Sequence, residues 1–160
     1  NIGREVTGIV QPVDLFPTLC TLADLELPEG VQGTSFDPLI KGATEAHRSY
    51  AISGRNLDDH WGTCPATVTD GTWTLVYWPN KDLAYENPPV MQETYTVTGM
   101  PERRRDELFY MPDDPDRQRN LLDTHPAEAQ RLHQALLDLL AEADTDPIIA
   151  ETYQPVPSRR

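Results

Sequence analysis

The sequence predicts an α+β fold: a small antiparallel sheet with a C-terminal helix packed on it, preceded by a helical segment. Three observations predict it. An amphipathic pattern fills residues 12 to 25, short β-prone runs lie between Tyr50 and Met111, and a leucine-striped helical pattern follows Thr124.

In the first pattern Leu15, Leu19 and Leu22 recur at helical spacing with Phe16 and Cys20 beside them, which is the signature of an amphipathic helix. Asp14 is placed to cap it, and Pro17 falls in the first turn, where its missing N–H has no intrahelical partner to lose. Pro28 and Gly30 mark the exit. A shorter helix is expected at Phe36 to Lys41, capped by Ser35, with Pro38 in its first turn and Gly42 closing it.

From Tyr50 the pattern changes. Tyr50 to Ile52, Ala66 to Thr69, Thr72 to Trp78 and Glu107 to Met111 are short runs rich in β-branched and aromatic residues, and read as strands. Asp70-Gly71 between the second and third is a turn signal, so these two form a hairpin. Trp73, Leu75 and Tyr77 alternate with Thr72, Thr74, Val76 and Trp78, as in a strand with one face covered. Residues 79 to 105 show no period and read as an insertion, with Glu93 to Thr98 as one further candidate strand.

A polar link with Pro112, Pro115 and several Asp residues leads to Thr124, expected to cap a helix running to about Ala143. Leu132, Leu136, Leu139 and Leu140 share one face, which is predicted to press on the sheet; Glu128, Arg131, Gln134, Asp138 and Glu142 face water. The tail from Asp146 to Arg160 has three prolines and no period, and is expected to be irregular.

Composition bounds the function classes. A chain of 160 residues, 38% hydrophobic and 24% charged, lies in the globular range. A net charge of −13 opposes binding to nucleic acid or to an anionic membrane. No stretch approaches the roughly 20 apolar residues of a spanning helix. Cys20 and Cys64 are too few for a disulfide framework, and Cys20 reads as a buried free thiol. The chain starts at Asn1, with neither an initiator Met nor a signal core, and is read as an excised or processed piece.

Three segments, in order, resemble the sulfatase family of the alkaline phosphatase superfamily. The first is Val13 to Leu19 followed by Leu27-Pro28 and Gly33 to Gly42. It is similar to the stretch after that family's catalytic lysine region. The second is Asp70 to Val76, where family members carry a lysine at the position of Thr74. The third runs from Glu107 to Tyr110 through Asp113-Asp114-Pro115 to Asn120-Leu121-Leu122 and the closing helix.

The resemblance implies that residues 1–45 are the end of the parent α/β domain, residues 46–145 a C-terminal subdomain of sheet and helix, and residues 146–160 a tail. It implies a parent that hydrolyses a sulfate ester or sulfamate with a formylglycine nucleophile and a divalent cation, calcium. Such chemistry needs carboxylates converging from separate strand ends. Formylglycine is made within Cys/Ser-X-Pro-X-Arg, whereas Cys20 is followed by Thr-Leu-Ala-Asp and Cys64 by Pro-Ala-Thr-Val. The family's metal and sulfate ligands precede the region matched here. No catalytic residue, metal ligand or cofactor is therefore assigned to this chain. Its expected partners are the rest of the parent chain and, through the apolar stripe of the first helix, further copies of itself.

The remaining polar clusters are read on their geometry. Asp58-Asp59-His60 are adjacent side chains in a loop, which rarely converge on one ion. Asp113, Asp114 and Asp116 are interrupted by Pro115 and lack a closing Glu, so they read as a turn. His47, His125 and His133 read as ordinary surface or half-buried histidines. The stretch Arg55 to Trp61 carries two readings: a polar connection whose Trp61 packs on the sheet, or a substrate rim in which Arg55, His60 and Trp61 contact an anionic or sugar-like group. Two alternatives accompany the main one: a self-standing binding or interaction module, and a phosphonate or phosphodiester hydrolase portion from the same superfamily.

Overall fold

A computed structural model describes residues 3–54, 65–79 and 105–155. It divides into two compact units, Asn1–Ala51 and Ile52–Arg160.

The first unit holds a 3-10 turn at Pro12–Asp14, helix α1 at Leu15–Leu22 and helix α2 at Asp37–Lys41. Asp14 does not cap α1 as its position suggests. It has helical backbone angles, and its carboxylate turns back to accept the Gln11 N–H at 3.0 Å, closing the 3-10 turn. Pro12 explains the difference, because it starts a tight turn one step earlier than the apolar periodicity. Helix α1 ends on Asp24 in the left-handed region (φ 54°), with the Leu25 N–H donating to Cys20 O at 2.9 Å. Helix α2 ends the same way on Gly42 (φ 74°), with the Ala43 N–H donating to Pro38 O at 2.9 Å. Ser35 contributes to its start, its hydroxyl accepting the Asp37 N–H at 3.2 Å. Cys20 is a buried free thiol, as expected.

The second unit is built on a four-stranded sheet in the order β1 (Ala51–Gly54), β2 (Ala66–Thr69), β3 (Trp73–Tyr77), β4 (Glu107–Tyr110). The β2–β3 and β3–β4 pairs are antiparallel, with Val68 opposite Leu75 and Leu75 opposite Leu108. These three side chains share one sheet face and are fully buried. The hairpin turns at Asp70-Gly71. Gly71 takes φ 85°, and the Asp70 carboxylate accepts the N–H groups of Thr72 and Trp73 at 2.8 and 2.7 Å.

Helix α3 (Pro126–Glu142) covers that face with Leu132, Ala135, Leu136 and Leu140. Leu139 is only half-buried, because the buried arc is centred on Leu132 and Leu136 and Ala135 takes the place expected of it. Thr124 does not cap α3. Its hydroxyl donates to Leu121 O at 3.0 Å within a tight turn, and His125 occupies the cap position ahead of Pro126, which needs no N–H partner. Asn120 ties the preceding link to the sheet by accepting the N–H groups of Leu108 and Leu122, both at 3.0 Å. The stretch expected to be an irregular tail contains helix α4 (Pro147–Thr152), with Ile149 and Tyr153 buried. Two apolar anchors three to four residues apart suffice for one turn of helix, although they are too few to show a period. The candidate strand at Glu93 to Thr98 and Cys64 lie outside the described residues.

Leu136→Ala is expected to cost about 2–5 kcal/mol, since it opens a cavity under a fully buried side chain. Asp138→Ala, on the exposed face, is expected to change stability by about 0.5 kcal/mol or less. Denaturant melting of both variants checks this, and equal shifts would contradict the packing of α3.

Candidate functional site

The second unit carries a cleft between the end of β3 and helix α3, with a volume of about 210 Å³. Leu75, Leu122, Pro126 and Ala129 form its apolar lining, and Tyr77, Asp106, Gln130 and His133 its polar part. Strand alternation puts Tyr77 on the α3 side two residues after Leu75, where its ring stacks on His133 at a centroid distance of 4.0 Å. His133 Nε2 lies 2.8 Å from the carbonyl oxygen of Tyr153, so the imidazole bridges β3 to the residue following α4. Asp106 accepts the Trp78 N–H at 2.8 Å. Burial pushes the Asp106 carboxyl above the usual carboxylate range, against the pull of the Trp78 N–H and of His133. Burial and the neighbouring Asp106 likewise raise the Tyr77 phenol. The volume is below the roughly 300–1,000 Å³ of ordinary small-molecule sites, so the cleft suits a side chain or a few-atom group. Sequence reasoning took His133 as an ordinary half-buried histidine and passed over Asp106. The available signal was the position of Tyr77 on the covered sheet face.

The first unit gathers a different set of groups around Asp14, which is fully buried. One carboxylate oxygen accepts the Thr34 N–H at 3.0 Å and the other the Gln11 N–H at 3.0 Å, while the Arg48 guanidinium spans both, its Nε 2.6 Å from Oδ2. Burial alone would raise this carboxyl, but Arg48 and the two amides outweigh it and hold it well below the usual range. His47 stands 3.3 Å from Oδ2 and packs edge-on against Phe36, half-buried as expected. With every lone-pair direction engaged from within the chain, this carboxylate is a structural knot rather than a reactive group.

Arg55, His60 and Trp61, the candidate rim residues, lie outside the described residues, as do Asp58 and Asp59. Asp114 closes a turn, accepting the N–H groups of Gln118 and Arg119, both at 2.8 Å; this agrees with the turn expected at Asp113 to Asp116. His125 packs against Trp73 at 5.1 Å. Among the described residues no three His, Cys, Asp or Glu side chains are grouped to hold a metal ion.

No family model matches the chain. Arylsulfatase K of Xenopus laevis is 23% identical over 141 residues, covering 86% of this chain and 23% of the relative. The chain carries distant sulfatase-like homology over most of its length. It spans about a quarter of the proteins it matches. A structure solved with its substrate D-glucosamine-2-N,6-O-disulfate is similar with a TM-score of 0.59 at 18% identity, over 84% of this chain and 25% of that one. The phosphonate monoester hydrolase of Agrobacterium radiobacter is similar with a TM-score of 0.55 at 19% identity, over 81% of this chain and 24% of that one. At these identities the structural likeness is one of fold alone.

Two carboxyls of the chain should report opposite pH dependence. The folded Asp106 carboxyl is raised, so its contribution to stability is present below the ordinary carboxyl range and is lost as pH rises through the raised value. Asp70 is lowered, because the Trp73 and Thr72 amides and the Arg131 guanidinium, 2.6 Å away, outweigh its burial. Its contribution is present above the ordinary range and is lost as pH falls through the lowered value. Near neutral pH, Asp106→Asn is expected to gain stability and Asp70→Asn to lose about 1 kcal/mol. Urea midpoints should bring Asp106→Asn back to the parent in acid, below the ordinary carboxyl range, and Asp70→Asn back to it below the lowered value.

Proposed function

We propose that this chain is the C-terminal portion of a sulfatase-like hydrolase whose complete polypeptide hydrolyses a sulfate ester or sulfamate. The observation that carries the reading is the mismatch in coverage: 86% of this chain aligns with 23% of an arylsulfatase. In this reading the chain is non-catalytic alone. It supplies structure to the parent and, through Arg55, His60 and Trp61, a rim that contacts the sulfated substrate. The parent's formylglycine and divalent cation supply the nucleophile and the Lewis acid, and both reside in sequence that the match does not cover. The likeness to a phosphonate monoester hydrolase favours a second reading, in which the parent acts on a phosphonate or phosphodiester.

Purified chain should therefore show no turnover of an aryl sulfate above buffer, with or without added calcium. Activity that follows the protein through purification would overturn the reading. In the protein translated from the complete reading frame, Trp61→Ala is expected to raise KM for a sulfated sugar by roughly tenfold or less, the equivalent of about 1 kcal/mol of aromatic contact, with kcat for a small aryl sulfate unchanged. Turnover of a phosphonate monoester in preference to the sulfate ester would select the second reading.

A further inference from the structure

The cleft beside helix α3 contains an acid that lacks a counter-charge. Asp106 lines it, and one carboxylate oxygen, Oδ1, accepts the Trp78 N–H at 2.8 Å. The other, Oδ2, has no hydrogen-bond partner among the described residues. The arginines nearby are engaged elsewhere: Arg105 pairs with Asp123 at 2.5 Å, and Arg131 with Asp70 and Glu128. Burial holds the Asp106 carboxyl above the usual range although the Trp78 N–H and His133 pull it down, which is how an anion short of a positive partner behaves. His133 Nε2 lies 2.8 Å from the Tyr153 carbonyl oxygen, which can only accept, so Nε2 carries the proton and the neutral ring keeps Nδ1 as an acceptor. With the Gln130 amide and the Tyr77 hydroxyl, the polar part of the lining is therefore rich in acceptors.

Charge, donor geometry and size narrow the occupant. An anion is repelled by Asp106 and by a chain of net charge −13. Calcium or magnesium takes about six or more oxygen ligands, whereas the cleft brings a single carboxylate. A guanidinium is a planar fork matched to both oxygens of a carboxylate, and here Oδ1 is already taken by Trp78. An ammonium is a compact charge with three donors, which suits one free carboxylate oxygen among other acceptors. The rest of the lining, Leu75, Leu122, Pro126 and Ala129, suits an alkyl chain. A cavity of roughly 150 Å³ admits benzene, so the cleft's volume of about 210 Å³ has room for a chain of about four to six carbons. We infer that the cleft between β3 and α3 is a binding site for a short-chain primary alkylammonium, with its nitrogen on Asp106 Oδ2 and its carbons against Leu75, Leu122, Pro126 and Ala129. The site is built from this chain's own residues and does not depend on the reaction of any parent protein.

The test is an NMR titration of the 160-residue chain with n-butylammonium chloride at constant ionic strength, with n-butanol as the uncharged match. The Trp78 amide and the His133 ring signals are expected to move together and to saturate, with a dissociation constant on the order of a millimolar for so small a ligand. The alcohol should bind about tenfold more weakly or worse, and Asp106→Asn should weaken the amine by a similar factor, because each removes one charge from a charge-assisted hydrogen bond. Loss of folding cannot mimic that result, since Asp106→Asn is expected to gain stability near neutral pH. Ala129→Leu keeps the charge and fills the cleft, and should weaken amine and alcohol alike. Nα-acetyl-lysine N-methylamide identifies the source: binding of it as well as the free amine supports a site for a lysine side chain, and binding of the free amine alone supports a site for a small free amine. Equal affinity for amine and alcohol, or undiminished binding to Asp106→Asn, would overturn the inference. So would shifts spread over the acidic surface that leave Trp78 and His133 unmoved, the mark of cations gathered by net charge alone.

Discussion

The first unit depends on one buried charge. Asp14 joins the 3-10 turn, the Gln32 to Ser35 stretch through the Thr34 N–H, and the strand-like end at Arg48 into a single hydrogen-bonded centre. Removing one partner of a buried ion pair costs roughly 3–5 kcal/mol, because it strands the other. The centre extends further, since the Thr18 hydroxyl donates to Asp14 O at 2.6 Å and accepts the Phe36 N–H at 3.0 Å, which sets the entry to α2. Gly33 is forced by the same arrangement: a Cβ there would lie 1.9 Å from the carbonyl oxygen of Val13, a distance no side chain tolerates. Few apolar side chains are buried in this unit beyond Cys20 and Leu39. Its order therefore comes from polar satisfaction, and its large apolar groups remain available for something else.

The second unit is held by the opposite means. A layer of Val68, Leu75 and Leu108 from three strands meets Leu132, Leu136 and Leu140 of α3, and the polar contacts around it set direction more than energy. Arg131 is an example, with Nη2 2.6 Å from the hairpin carboxylate Asp70 and 2.8 Å from Glu128 on its own helix. Both partners of Arg131 are partly exposed, so the pair contributes little by itself. Its effect is to fix which turn of α3 lies above the hairpin. The stacking of Tyr77 on His133 does the same at the other end of β3, and leaves the small cleft beside Asp106 as the residue of that geometry.

Much of this was legible because it follows from period. The hairpin, the covered face of β3 and the stripe on α3 all come from side chains alternating every two residues or recurring every three to four. The apolar stripe of α1 was legible for the same reason, and so was its exposure, on which the expected self-association rests. What escaped is what depends on contacts distant in sequence. Asp14 is a good capping residue by type, but its partners Thr34 and Arg48 lie 20 and 34 residues away, and they redirect its carboxylate. Thr124 fails as a cap because Leu121 O competes for its hydroxyl, and α4 is stabilised by burial of Ile149 and Tyr153 rather than by a pattern of its own. The cleft escaped because Tyr77, Asp106 and His133 come from two strand ends and a helix. The rim candidates Arg55, His60 and Trp61 were chosen on residue type alone, in a stretch without a period.

The residues that carry the resemblance are largely ones that hold the backbone in place. The three segments similar to sulfatases contain Asp14, Gly33, Asp70, Asp114 and Asn120, and each of these except Gly33 accepts hydrogen bonds from backbone N–H groups. Gly33 serves the same end by letting the chain approach Val13. Positions of this kind are set by backbone geometry, which many apolar sequences can share, rather than by a reaction. The departure at Thr74 fits the same logic. That side chain is buried, with its hydroxyl 3.0 Å from the Thr69 hydroxyl across the hairpin, so the strand pair accommodates it without needing the lysine of the resembled family. The fold is thus held through its turns and buried polar anchors, while the exposed large apolar groups among the described residues gather between Val10 and Ile40.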